Sequence, residues 1–144
     1  MRTPKQILNK IKEIKEQGDD VLGTKREDLV EFLPYNKAKK YLRSDVTKEM
    51  WEEAKEENTK ENIKNNIKDY LPFAWEKANN RRGISASRSI HHIETWLWLL
   101  NDEEKEKTFK NIEYQHYGKE KLIYASNLVD FNYKKYDNGE RINK

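Results

Sequence analysis

Residues 81–102 read Arg81-Arg82-Gly83-Ile84-Ser85-Ala86-Ser87-Arg88-Ser89-Ile90-His91-His92-Ile93-Glu94-Thr95-Trp96-Leu97-Trp98-Leu99-Leu100-Asn101-Asp102, and this stretch decides the fold. At about 100° per residue, Ala86, Ser89, Ile90, Ile93, Trp96, Leu97 and Leu100 share one face, the stripe of a helix docked on a core. Past Thr95 the pattern changes. Trp98 and Leu99 point away from the stripe, so this end is apolar all round, and such a helix is buried all round. The opposite end carries Ser85, Arg88 and His92 on one flank and Ser87, His91 and Glu94 on another. The sequence therefore predicts a central helix over 85–101, driven into the interior at one end and presenting a basic, hydroxyl-rich start at the other.

The rest of the chain supplies partners for it. Thr3-Pro4 is a hydroxyl cap followed by a proline at the first helical position, and Ile7, Leu8, Ile11 and Ile14 then recur at helical spacing until Gly18. Gly18–Thr24 reads as a loop. Asp28–Leu33 reads as a short helix cut by Pro34, with Ala38, Tyr41 and Leu42 marking the next one. Thr47 opens a further piece anchored by Met50, Trp51 and Ala54. From Thr59, the series Ile63, Ile67, Leu71, Ala74, Trp75 and Ala78 predicts a long helix that Pro72 should kink or divide after Tyr70. Residues 103–110 form a charged helix with Phe109 inward. Tyr114–Lys119 is an aromatic turn, followed by a helix through Leu122, Ile123, Ala125 and Leu128. With no internal repeat and no sustained alternation, the expectation is an all-α domain over 1–144, a bundle of six or seven helices with 136–144 a frayed tail.

Composition narrows the function classes. The chain has 144 residues, 38% charged and 35% hydrophobic, with eight Tyr, four Trp and four Phe. Those aromatics supply the interior that sparse aliphatics would not. A net charge of +3 is a mixed surface. It lacks the field of a strong nucleic-acid binder and the negative excess of a DNA mimic, so direct nucleic-acid affinity should be weak. With no cysteine, disulfides and thiolate metal sites are out. The N-terminus has no signal-peptide core and no run is long enough to span a bilayer, so a cytoplasmic, membrane-free setting is expected.

One constellation carries chemistry. Arg81, Arg82, Ser85, Ser87 and Arg88, with His92 beside them, sit at a helix N-terminus, where free backbone N–H groups and the helix dipole favour an anion or phosphate. Guanidinium forks and hydroxyls would complete such a site, with Gly83 giving the turn its freedom. The competing reading has the serines capping the helix and the arginines paired with acids such as Glu76 or Glu94. Adjacent His91 and His92 point about 100° apart and cannot share one metal. His91 with Glu94 gives only two ligands, so neither metal nor cofactor is expected. No Gly-x-Ser-x-Gly turn supports a nucleophilic triad.

The segments Leu71–Ala78, Arg82–Ser89 and Trp96–Leu100, with Asp28–Pro34 and Tyr117-Gly118-Lys119, resemble a set of small phage and mobile-element proteins. The resemblance runs from about residue 19 onward. It departs near the end, where similar proteins are Trp-rich and this chain has Phe131, Tyr133 and Tyr136. It implies no activity of its own, only a genomic setting in which small proteins act by binding. Tyr117, Lys119, Tyr133 and Tyr136 become a candidate contact surface. The expected function is a non-catalytic binding protein, a counter-defence (anti-CRISPR-like) inhibitor or accessory factor acting on a host or defence-system protein. The alternatives are a small nucleotide-binding or nucleotide-processing protein using the basic, Ser-rich helix start, and a weak nucleic-acid-binding regulator.

Overall fold

The computed structural model describes residues 1–17, 29–54 and 60–137; the expected Gly18 stop, the Gly18–Thr24 loop and the stretch beyond 137 lie outside the described residues. Eight α-helices and no strand occur among them: α1 Pro4–Gln17, α2 Tyr35–Ala38, α3 Lys48–Ala54, α4 Lys60–Asn79, α5 Gly83–Leu99, α6 Glu103–Asn111, α7 Lys119–Leu128 and α8 Lys134–Asp137. The fold is an all-α bundle. No helix among the described residues is long and apolar enough to cross a membrane.

The antiparallel pair α4–α5 is the most extensive helix contact, and α7, α8 and the 116–118 turn pack on α4. The α5 stripe is buried as its spacing requires: Ala86, Ser89, Ile90, Ile93, Trp96 and Leu97. Leu100 is half-buried instead, and Leu99 takes the interior place. The reason is local: Asn101 turns the chain with φ 59°, so the stripe leaves the core one residue early. The apolar far end of α5 is sealed by the chain's own start. The Arg2 backbone N–H and guanidinium donate to the carbonyls of Leu99 and Trp98, and that guanidinium lies 4.6 Å from the Trp98 ring centroid. A cation there also suits the negative end of the helix dipole.

Helix α4 is not divided at Pro72, where the sequence predicts a kink or a division. A proline inside a helix costs about 3 kcal/mol. Leu71, Ala74, Trp75 and Ala78 carry on the stripe begun by Ile63 and Ile67, all buried. Burying each large apolar side chain is worth about 1.5–3 kcal/mol, which outweighs that loss. Capping follows sequence closely elsewhere. Thr3 and Gln6 exchange side-chain bonds to each other's backbone N–H, a reciprocal box at the α1 start. Thr47 accepts from the Met50 N–H, though Met50 itself is half exposed rather than an anchor. Trp51 fills that role, with its indole N–H on the Leu33 carbonyl.

Candidate functional site

The turn between α4 and α5 is made by arginine. Arg81 adopts φ 54°, its N–H reaches the Ala78 carbonyl, and the Arg82 N–H reaches back to Lys77. That pair of bonds is the Schellman closure, whose left-handed position is commonly glycine. Gly83 has no positive φ, so the freedom the sequence reading assigned to it is not what the turn uses. Gly83 matters for closeness instead: an added Cβ would lie 3.6 Å from the Tyr117 ring, and the Tyr114 hydroxyl donates to its carbonyl at 3.4 Å.

The first turns of α5 carry the predicted Ser85, Ser87 and Arg88, with His92 one turn further along. No side chain caps α5. Ser89 bonds the Ser85 carbonyl one turn back, and Ser87 lies near the Tyr114 hydroxyl. Burial of that phenol pushes it above the usual tyrosine range, with Ser87 pulling the other way. Arg81, Arg82 and Arg88 are exposed and make no ion pair with a described residue. The pairing with Glu76 or Glu94 weighed above is therefore not made. Arg88 and half-buried Ser85 do share the flank of His92, but His92 belongs to a separate aromatic group one turn on.

That flank faces its counterpart on α4. Tyr70 contacts His92, Trp96 and Phe73 at ring separations of 4.9, 5.5 and 5.6 Å, and Lys77 lies over Phe73. Two stripes thus run side by side: Asn66, Asp69, Tyr70, Phe73 and Lys77 on α4, with Trp96, His92, Arg88 and Ile84 on α5. Ile84 is 76% exposed and Phe73 45%. One end of this face is basic; the other is an open cleft of about 310 Å³ lined by Glu31, Asn66, Asp69, Tyr70, His92 and Trp96. The Trp96 indole N–H is buried without an acceptor, as are Trp75 Nε1 and Asn79 Oδ1. Of the three, Trp96 lines the cleft. An unsatisfied buried donor costs about 1–3 kcal/mol.

The expected aromatic contact surface sits at the edge of the core. Tyr117 is half-buried over Gly83. Tyr133 stacks on Trp75 at 5.5 Å. Tyr136 stacks on Phe131 at 5.2 Å and takes a hydrogen bond from Asn79 on its carbonyl, which ties down the start of the expected frayed tail. Lys119 is half-buried at the start of α7. The exposed phenol is Tyr114. No group of three potential metal ligands occurs among the described residues.

Ile84 and Phe73 were missed by the sequence reading, yet a signal existed. Ile84 lies about 200° around the helix from Ala86, and Phe73 lies about 200° from Leu71. Each is a large apolar residue on the wrong side of a clean stripe. Compared with protein-family models, curated proteins and solved structures, the chain matches none.

Proposed function

We propose that this chain is a cytoplasmic, non-catalytic binding protein of a phage or mobile element that engages a host or defence-system protein, as a counter-defence (anti-CRISPR-like) inhibitor or accessory factor. The observation that carries the binding reading is the outward side of α4 and α5, which exposes the large apolar residues Phe73 and Ile84, while the arginines of the α4–α5 turn and of early α5, Arg81, Arg82 and Arg88, are exposed too. Interfaces concentrate arginine and aromatic residues at their centres. An arginine with no carboxylate of its own keeps its full attraction for one on a partner. The surface therefore suits a protein with an acidic rim around an apolar patch. The phage setting rests on the motif resemblance alone.

The uncapped first turn of α5 favours a second reading, a phosphate-bearing ligand held by backbone N–H groups and the arginines. The two separate in one experiment: capture from host lysate, with and without nuclease, using the natural chain and the Ile84→Asp and Arg88→Ala variants. The protein-partner reading expects a nuclease-resistant partner lost in both variants. Loss of capture after nuclease treatment, or duplex binding that persists well above physiological salt, would overturn it, because a +3 chain should bind DNA weakly and with steep salt dependence.

A further inference from the structure

We infer that the cleft between α1 and α3 binds a single-chain amphiphilic anion, an apolar tail carrying a carboxylate or phosphate head. Its volume is about 770 Å³, within the range of roughly 300–1,000 Å³ found for small-molecule sites. Its walls are Ile11, Val30 and Leu42 with the rings of Tyr41 and Trp51. Ile11 and Val30 are buried, and the other three are half-buried. The Trp51 indole N–H is spent on the Leu33 carbonyl, so this side chain offers a ligand ring carbon and no open donor.

Three ammonium groups stand on the rim. Lys12 and Lys15 lie one turn apart on α1, and the Lys40 ammonium sits 5.1 Å from the Tyr41 ring centroid. All three are exposed, and none forms an ion pair with a described residue. Glu31 is the one carboxylate among the lining residues, and it has an interaction of its own. Cations therefore outnumber anions three to one above an apolar wall. An ammonium is a compact charge with freely turning donors, so it serves a carboxylate and a phosphate head alike. A cationic tail would gain the wall and be repelled at the rim. A nucleotide fits less well, because no side-chain amide lines the cleft to read a base edge, and base donors and acceptors buried unpaired are costly. The inference goes beyond the protein-binding reading and uses other elements than the outward side of α4 and α5.

The probe is decanoate, titrated into the full chain below its micelle-forming concentration and followed by the indole N–H resonances of the four tryptophans. Trp51→Phe assigns the one concerned. The Trp51 signal should move and saturate with a dissociation constant of about 10–100 µM. Decyl phosphate should bind too, and the tighter of the two names the head; decyltrimethylammonium should bind at least about tenfold more weakly. The Lys12→Glu/Lys15→Glu variant should lose decanoate affinity about tenfold and accept the cationic tail instead. Both lysines are exposed, so an otherwise unchanged spectrum will show that this variant is folded. Ile84→Asp should bind decanoate as the natural chain does. Any of three results would overturn the assignment: no movement of the Trp51 signal, equal affinity in the lysine double variant, or equal binding of the cationic tail, of AMP or of an acidic, leucine-rich peptide. The probe can bind when no host partner is captured, and capture can succeed when the probe fails, so the two readings fail separately.

Discussion

Arg81 holds a conformation that costs an L-residue about 1–2 kcal/mol relative to the right-handed region. The sequence pointed to Gly83 because glycine is the usual residue for such a turn, and nothing in the letters marks Arg81 as its substitute. The Arg81→Gly variant should be more stable by about 0.5–1 kcal/mol, since part of the relief is offset by the freedom glycine gains when unfolded. A urea titration checks this, and a loss would mean the arginine side chain contributes to the fold. Lys121 makes the opposite kind of statement. It is 9% exposed with its ammonium 4.9 Å from the Phe109 ring centroid. Burial holds it below the ordinary lysine value of 10.5, with Glu94 opposing and Lys110 adding to the fall. Between that lowered value and 10.5 the unfolded chain binds more protons than the folded one, so stability rises with pH across the window. Lys121→Met should therefore be the more stable form at neutral pH, with its advantage shrinking as pH climbs toward 10.5.

At the scale of elements, helices with a continuous apolar stripe were legible, and their ends less so. The face of α5 follows from spacing, whereas the seal over Trp98 depends on Arg2, 96 residues away, a distance no periodicity reports. Pro72 was read by its local rule as a kink or a division, and the stripe around it carries the helix on undivided. The turn at 116–118 was read only as aromatic. Its backbone is left-handed at three successive residues, His116, Tyr117 and Gly118, with φ 51°, 59° and 80°. Only the last is a glycine, and there the need is steric as well. An added Cβ would come within 2.9 Å of the Tyr114 ring and closer still to Ile90 Cδ1. Gly118→Ala should cost at least about 2 kcal/mol, combining overpacking with the strain of a positive φ. Gly83→Ala, with ordinary backbone and room at 3.6 Å, should instead be neutral or gain up to about 1 kcal/mol. Thermal unfolding of the two variants side by side reads the contrast. Equal losses would mean that Gly83 carries a backbone role after all.

For the whole molecule, patterning specified the all-α class, because burying these stripes requires helices stacked on helices. The candidate site was legible in its residue types and not in their grouping. Arg88 and His92 do share a flank, but His92 looks into a carboxylate-bearing cleft with Tyr70 and Trp96, and Ser87 lies near Tyr114. Those neighbours come from α4 and the 112–118 turn, which a helical wheel of α5 alone cannot bring in. The α4–α5 pair builds the fold with one side, and Ile84 and Arg88 on the outward side of α5 are left for the proposed binding, with no part in holding the fold. Thermal unfolding of the Ile84→Ala/Arg88→Ala double variant tests this most directly. For a chain of this size 1 kcal/mol corresponds to a shift of roughly 2–6 °C. The account predicts a melting temperature within about 2 °C of the natural chain, because both side chains are exposed and Arg88 pairs with no described carboxylate. A fall of about 8 °C or more would contradict it, showing that this face holds the molecule together.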